Sequence, residues 1–328
     1  MNETHPPSTD TDPIWQALDR IITTDIHQHN LHIHGLGPLI AWRLRLNGQP
    51  VPEHLVAASR SAAYGTVTAA PLLQSIRDAI SGPILVLKGP EIAACYPAPA
   101  LRPYGDLDFL VPDLPSAERQ LIAAGFDLLG SQNDILPGYI HDLPLKKKGT
   151  ALAIELHRRP GWLNWMNAPS NEHLFEIAIL SATGVDGILT LPPVERTLFF
   201  ADHSWRHGPY HSWLHPIDIA LMHQHADPAA LESTAAAWGL ENLWNRTTNI
   251  IDALFYQSEN PLGVLDHLWS RHLRAYRSRT THEYYLATRT KGLAAPTLTS
   301  KLQSVSRDIL GTFTLRPGKT HVPSPPTP

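Results

Sequence analysis

Two aspartates, Asp106 and Asp108, lie one residue apart inside the apolar stretch GDLDFLV at residues 105–111. Alternate residues of a β-strand point to the same face of a sheet, so the two carboxylates project together while Leu107 and Phe109 point toward the core. Neighbouring carboxylates repel each other, and a hard divalent cation with oxygen ligands, typically Mg²⁺, relieves that repulsion. The spacing therefore predicts a strand that binds a metal ion.

A third acid lies further along the chain in the sequence AIELH, where Glu155 and His157 share one strand face. If this strand is a neighbour of the first, Asp106, Asp108 and Glu155 converge into a cluster of three carboxylates. Such a cluster can hold two Mg²⁺ ions about 3.5–4 Å apart, the arrangement used for in-line phosphoryl displacement.

Two of these assignments have alternatives. Asp134 or Asp142 could take the place of Glu155 if the register of the strands differs from the one assumed. His157 could position an acceptor or help to deprotonate it, or it could be a structural histidine held by hydrogen bonds.

Groups that bind anions lie close to the acids in the sequence. Lys88 and Gly89 end the apolar run ILVL and open a short helical stretch, and a helix N-terminus favours phosphate. Arg102 precedes the acidic pair by four residues and could contact a phosphate oxygen. Both cationic side chains could instead neutralise the acidic cluster as structural partners.

The elements that position these residues follow from hydrophobic periodicity and from the placement of Gly and Pro. Apolar residues at helical spacing cover most of the first 80 residues, short runs bounded by turns follow, and helical patterns return from about residue 191. The predicted fold is α+β, a small mixed β-sheet core flanked by N-terminal and C-terminal helical regions. The predicted strands are 84–87, 105–111, 139–145 and 151–157, with short helices at 91–96 and 115–124. The predicted regions are a disordered tail at 1–12, a helical region at 13–80, the sheet core at 81–185, a helical domain at 186–315 and a disordered tail at 316–328.

Composition excludes several other classes of protein. The chain has 328 residues, 43% hydrophobic and 17% charged, with a net charge of −4, which is enough apolar material for a folded core. Cys95 is the single cysteine, so a disulfide framework and cysteine-based metal sites are excluded. No apolar run approaches the roughly 18 residues of a membrane span, and the first residues lack the features of a secretory signal. We therefore expect no membrane segment and a cytoplasmic location.

Histidine is frequent, with 19 residues, but its spacing does not place three ligands on one metal. We therefore predict no zinc site in either of the two densest groups, which are His27, His29, His32 and His34 in one and His203, His207, His211 and His215 in the other.

Together these motifs resemble one protein family, the uncharacterised nucleotidyltransferases of the polymerase-β superfold. The matching parts are LKG at 87–89, GDLDFLV at 105–111 and IELH at 154–157, together with Tyr96 and Arg102.

Two further stretches extend the resemblance to about residues 15–260. HGLGPLI at 34–40 is similar to the N-terminal helical part of that family, and residues 203–220 are similar to its C-terminal helical part. The wider superfamily has Gly-Ser after its first strand, whereas this chain has Lys-Gly followed by Pro90.

The resemblance implies Mg²⁺-dependent transfer of a nucleoside monophosphate from a nucleoside triphosphate, such as ATP, to an acceptor, which could be a small molecule, a peptide or an RNA end. It implies Asp106 and Asp108 as ligands of two Mg²⁺ ions and Glu155 as a third ligand or a base. Lys88 and Arg102 would stabilise charge as pyrophosphate leaves.

Two other functions remain compatible with the sequence. A protein with this fold could bind a nucleotide or a partner without catalysis. Residues 271–291 contain five arginines and one lysine, with Glu283 as the only acid, and could bind RNA or simply form a solvated helix face.

Overall fold

The computed structural model describes residues 12–23, 34–129, 142–206, 208–256 and 262–314, with the backbone alone at Thr23, Asp142 and residues 307–314. Several sequence-based predictions lie outside these residues: the two tails except Asp12, the side chain of Asp142, and the residues His27, His29, His32, Asp134 and His207.

A mixed β-sheet of seven strands occupies the middle of the described chain. The strands are β1 (Ile84–Val86), β2 (Asp106–Leu110), β3 (Phe126–Leu128), β4 (Asp142–Lys147), β5 (Ala153–His157), β6 (Ile179–Leu180) and β7 (Ile188–Thr190). Their order in the sheet is β3-β4-β5-β2-β1-β7-β6. β2 pairs with β5 and β1 pairs with β7 in parallel, and the other neighbours are antiparallel.

Helices precede the sheet, follow it and connect several of its strands. In the described residues they are α1 (Pro13–Thr23), α2 (Gly37–Leu46), α3 (Glu53–Ala79), α4 (Pro90–Ala93), α5 (Leu114–Ala123), α6 (Asn171–Ile177), α7 (Pro193–Arg206), α8 (Leu214–His223), α9 (Pro228–Ala237), α10 (Glu241–Ile251), α11 (Val264–Arg274), α12 (Thr281–Thr290) and α13 (Leu298–Thr314). Short 3₁₀ segments lie at Pro99–Leu101 and Lys291–Ala294, and a π-helical turn lies at Asp252–Tyr256.

Local sequence explains several of these helix starts. Asp113 and Asp227 accept hydrogen bonds from the backbone N–H groups of Ser116 and Ala230, which caps the first turns of α5 and α9. Thr280 forms a reciprocal capping box with the third residue of α12.

One face of the sheet is a continuous apolar surface. Leu107 and Phe109 of β2 and Ile154 and Leu156 of β5 are fully buried there, beneath α3 and α5. Burial of each such side chain contributes about 1.5–3 kcal/mol relative to its exposure. The alternation of β2 and β5 therefore directs the acids to the opposite face, as the sequence predicts.

The acidic face is covered only in part. Leu85, Leu110 and Phe199 belong to a smaller apolar cluster, to which α6 and α7 contribute. α7 therefore lies over the same side of the sheet as the acidic residues.

The N-terminal and C-terminal helices form one shared core. Ile14 of α1 and Ile40 of α2 are buried in the same cluster as Trp205 of α7, Trp213 and Trp269. The two helical regions thus pack together, although the whole sheet separates them in the sequence.

The α+β architecture is confirmed. β3, β6 and β7 were not predicted, and β6 and β7 pair with each other across residue 185, where the predicted core ends. The division of the chain into five regions stays a prediction. No helix among the described residues combines the length and the apolar character needed to cross a membrane.

Candidate active site

The parallel pairing of β2 with β5 brings the predicted site residues together. In that register the Cα of Asp106 pairs with that of Ala153, Asp108 with Glu155, and Leu110 with His157. β2 is also the fourth of the seven strands, so it has a hydrogen-bonded neighbour on each side. The assumption that the two acidic strands are neighbours is therefore confirmed.

Asp108 lies at the centre of the site and is completely buried. Its Oδ1 accepts from Nζ of Lys88 at 2.8 Å and from Nε2 of His157 at 3.0 Å. Its Oδ2 is buried and has no hydrogen-bond partner among the described residues. Since a buried carboxylate oxygen without a partner is costly, Oδ2 marks a place for a bound group.

The charge of Asp108 is stabilised by its neighbours. Burial acts to raise the pKa of its carboxyl, but the hydrogen bond from His157 and the positive charge of Lys88 outweigh that effect. The pKa of Asp108 therefore lies below the usual range of an aspartate, and the carboxylate is available as a ligand at neutral pH.

Three side chains in the described residues are placed to hold a metal ion. Asp108, Glu155 and His157 each offer one ligand atom, and these atoms lie within 4.8 Å of one another. The donor set suits a divalent cation, since carboxylate oxygens bind Mg²⁺ and an imidazole is accepted by several transition metals. The unpartnered Oδ2 of Asp108 is consistent with that use.

Asp106 and Glu155 occupy less favourable positions for negative charge. Asp106 lies two residues before Asp108 on the same strand face but is not part of that group of three. Burial, followed by repulsion from Asp108, raises the pKa of both Asp106 and Glu155. A cation bound here would offset this repulsion.

Lys88 and Gly89 lie just after β1, separated from it by Leu87. Gly89 has φ +67° and ψ −112°, a conformation open to glycine but not to residues with a Cβ, and it lets the chain turn sharply beside Asp106. The helix that begins at Pro90 has only four residues, so its dipole is small. The side chain of Lys88, rather than the helix, supplies the positive charge at this point.

Arg102 binds a carboxylate outside the group of three, that of Asp218. Its Nε and Nη2 each donate to the carboxylate of Asp218 at 2.9 Å, and the hydroxyl of Tyr96 donates to the same carboxylate at 2.6 Å. Asp218 is completely buried in α8. A contact of Arg102 with phosphate stays a prediction.

Sequence reasoning did not assign three residues near the site. Nε2 of His203 lies 3.3 Å from Nζ of Lys88. Nδ1 of the same ring lies 2.9 Å from Nη2 of Arg206. Their spacing of three residues on one helix was the available signal. The sequence also offered a signal for Asp218, which is the only acid in the apolar helix LHPIDIALMH and so needs a buried partner.

Many basic side chains of residues 271–291 have partners within the chain. Arg277 pairs with Glu283, while Arg274, Arg279 and Lys291 donate to backbone carbonyl oxygens. The ion pair neutralises one of these charges, and the other contacts hold three side chains against the backbone. RNA binding stays a prediction.

A comparison with known protein families matches the part of the chain that contains the site. A family model described as uncharacterised nucleotidyltransferase matches residues 28–256, which include every site residue described above. No curated protein matches the chain.

Proposed function

The chain belongs to the uncharacterised nucleotidyltransferase family, and from this premise we propose that it transfers a nucleoside monophosphate from a nucleoside triphosphate, such as ATP, to an acceptor and releases pyrophosphate. The proposed reaction depends on Mg²⁺. The acceptor is a small molecule, a peptide or an RNA end.

One observation carries this proposal. Asp108, Glu155 and His157 converge within 4.8 Å on the face of the sheet opposite the apolar cluster, and Oδ2 of Asp108 has no hydrogen-bond partner among the described residues. Family membership gives the reaction class, and this cluster gives a place where the reaction can occur.

We assign the metal-binding role to Asp106, Asp108 and Glu155, which would hold two Mg²⁺ ions. When bound, Mg²⁺ supplies positive charge against the triphosphate and lowers the pKa of an acceptor hydroxyl. Asp106 is included because its carboxyl shares the strand face of Asp108, and burial, followed by repulsion from Asp108, raises its pKa.

The neighbouring side chains orient and balance these acids. His157 donates to Oδ1 of Asp108, which leaves Oδ2 without a hydrogen-bond partner among the described residues. Lys88 also contacts Oδ1, and its side chain is 14% exposed, so we assign its ammonium group to a phosphate oxygen at the edge of the site.

The test is the transfer of label from each of four α-labelled nucleoside triphosphates to the components of a cell extract, with Mg²⁺, followed by mass spectrometry of the products. Pyrophosphate release is measured in parallel. The wild-type protein should label an acceptor, and Asp106→Ala with Asp108→Ala should abolish labelling. Glu232→Ala with Glu241→Ala removes two exposed helical acids and serves as the matched control.

Two outcomes contradict the proposal. Labelling that survives the loss of both aspartates would show that Asp106 and Asp108 do not bind the metal that the reaction needs. Binding of triphosphate without turnover, over the whole range of acceptors, would favour a non-catalytic protein that retains the fold.

A further inference from the structure

Two tyrosines and an arginine lie side by side on the exposed side of α12. Tyr284 and Tyr285 are 41% and 40% exposed, and their ring centroids lie 5.8 Å apart. Cζ of Arg289, which is also exposed, lies 5.3 Å from the centroid of the Tyr285 ring. With Thr288 these residues repeat at spacings of three and four along one side of the helix, which we call the α12 face. Adjacent exposed rings beside a cation form a surface on which flat groups can stack.

The segment around the α12 face carries more positive charge than its own acid can neutralise. Residues 271–291 have six basic side chains and one acid, Glu283, which accepts from Nη1 and Nη2 of Arg277 at 2.7 and 2.6 Å. Arg274 and Arg279 donate to backbone carbonyl oxygens, and such hydrogen bonds leave the charge of a guanidinium group in place. This segment therefore attracts anions, although the whole chain has a net charge of −4.

The α12 face begins where α7 ends. Nζ of Lys291, the residue after α12, donates to the carbonyl oxygen of Arg206, the last residue of α7, at 3.0 Å. Two residues further on, a Cβ at Gly208 would lie 3.4 Å from Cγ2 of Thr288. The chain that leaves α7 is thus in contact with the α12 face.

α7 connects this point with the acidic cluster. His203 precedes Arg206 by three residues, which is about 4.5 Å along the helix. Its Nε2 lies 3.3 Å from Nζ of Lys88, and that ammonium group lies 2.8 Å from Oδ1 of Asp108. The α12 face and the candidate metal site therefore lie at the two ends of one short path along α7.

Positive charge and stacked rings together fit a single-stranded nucleic acid. Arginines bind the phosphates of the strand, and unpaired bases stack on tyrosine rings because every base has a flat π face. An acidic peptide would use the charge but not the adjacent rings, and a duplex keeps its bases stacked on one another. The exposed rings therefore favour a single strand over both.

We propose that the α12 face binds a single-stranded nucleic acid whose terminal hydroxyl is the acceptor of the transferred nucleotide. This inference rests on the proposed function, because it names the acceptor class for that reaction. The hydroxyl oxygen forms a bond to the α-phosphorus of the triphosphate, and the bond from that phosphorus to the bridging oxygen breaks. Pyrophosphate leaves with the electron pair of that bond, the hydroxyl proton passes to solvent, and the strand grows by one nucleotide.

Fluorescence anisotropy of labelled single strands of about 12 nucleotides, without metal or triphosphate, measures binding alone. The logarithm of the wild-type affinity should fall linearly with the logarithm of the salt concentration. Tyr285→Ala with Arg289→Gln removes one ring and one charge, so it should weaken binding about tenfold and make the salt dependence shallower. Tyr285→Phe alone keeps the ring and should bind like the wild type.

Arg60→Gln with Tyr64→Ala is the matched control. Arg60 and Tyr64 are exposed and have the same four-residue spacing on α3, which packs on the apolar face of the sheet. This control should bind the strand like the wild type. An equal loss of affinity in the two double variants, or no binding by the wild-type protein, would overturn the inference.

Other probes test which ligand is recognised. RNA and DNA strands of the same sequence are compared, and the one that binds more tightly identifies the acceptor. A duplex and a polyglutamate peptide should each bind at least about tenfold more weakly than the single strand. Equal affinity for either of them would show that charge alone is recognised and would overturn the inference.

Transfer of nucleotide to the bound strand separates this inference from the proposed function. Growth of the strand by one labelled nucleotide, reduced in Tyr285→Ala with Arg289→Gln, supports both. Label on a small molecule or a peptide, with none on the strand, overturns this inference and leaves the proposed function standing. If the strand binds as expected but no acceptor of any class is labelled, the proposed function fails and the acceptor assignment fails with it.

Discussion

Arg102 and Asp218 form a buried, two-pronged ion pair that joins the connection just before β2 to helix α8. Nε and Nη2 of Arg102 each donate to one carboxylate oxygen at 2.9 Å. The hydroxyl of Tyr96 adds a third hydrogen bond to the same group. This contact connects the sheet with the shared helical core, close to the candidate active site.

Loss of one member of this pair should destabilise the protein strongly. Arg102→Met leaves the charge of Asp218 buried without its main partner, and the free energy of unfolding should fall by about 3–5 kcal/mol. Urea unfolding measures the change. Arg60→Met is the control, because the ion pair of Arg60 with Glu53 is exposed, and its loss should cost less than about 1 kcal/mol. Unchanged stability of Arg102→Met, together with weaker triphosphate binding, would show that Arg102 is a phosphate ligand instead.

Removal of the central carboxylate charge should impair metal binding. Asp108→Asn keeps the size of the side chain and an oxygen for Lys88 and His157, but it loses the anionic ligand. With Mn²⁺ as the probe, calorimetry should show affinity at least about tenfold weaker than in the wild type. Asp186→Asn, an exposed site, should bind like the wild type. Chelation of the divalent cation should stop nucleotide transfer, and equal Mn²⁺ affinity in Asp108→Asn would exclude that carboxylate as a ligand.

Gly89 should tolerate no side chain. Its backbone conformation is strained for any residue with a Cβ, and an added Cβ would lie 3.3 Å from the carbonyl oxygen of Asp106. Gly89→Ala should therefore lower the free energy of unfolding by about 1–3 kcal/mol. Thermal unfolding of Gly89→Ala and of Gly82→Ala provides the comparison, since Gly82 faces open space. Equal stability of the two variants would contradict the assigned constraint.

The buried carboxyl of Asp202 should make stability depend on pH. Burial raises its pKa to about 7, despite the nearby charge of Arg206 and a hydrogen bond from the N–H of Leu163. In the unfolded chain this pKa is about 3.9, so between pH 4 and pH 7 the folded state binds the extra proton. The contribution of Asp202 to stability is therefore greatest below about pH 4 and declines as pH rises through 7.

Asp202→Asn removes this titrating group. The difference in stability between the wild type and the variant therefore isolates the effect of Asp202 from that of other groups. Urea unfolding at pH 5, 6, 7 and 8 gives the stability difference, wild type minus Asp202→Asn, which should decrease as pH rises. A difference that stays constant, or that increases with pH, would contradict the raised pKa.

The parts of the fold that sequence could predict are those set by local pattern. β2 begins and ends within one residue of the predicted strand at 105–111, because alternation of acids and apolar residues is visible in a short window. The same pattern in β5 placed Glu155 and His157 on the correct face. The family assignment, built on these segments, is also confirmed.

The parts that escaped prediction depend on contacts distant in sequence. β6 has two residues, both exposed, and β7 has three, so neither has enough residues to display a period. Arg102 and Asp218 are 116 positions apart, and Lys88 and His203 are 115 positions apart. Residue type showed that each side chain needed a partner, but only the packing of α7 and α8 on the sheet determines which partner it has.

The shared helical core has a consequence for how this protein is made. Arg20 of α1 donates to the carbonyl oxygen of Phe255, 235 positions later in the chain, and α1 packs against the π-helical turn there. During synthesis α1 leaves the ribosome long before this partner exists, so only α2 can cover part of its apolar face while the sheet can already form. Such distant contacts slow folding and give unfinished chains time to associate. Burial of α1, the first helix among the described residues, is thus completed late, and fragments that end before α10 should aggregate when released.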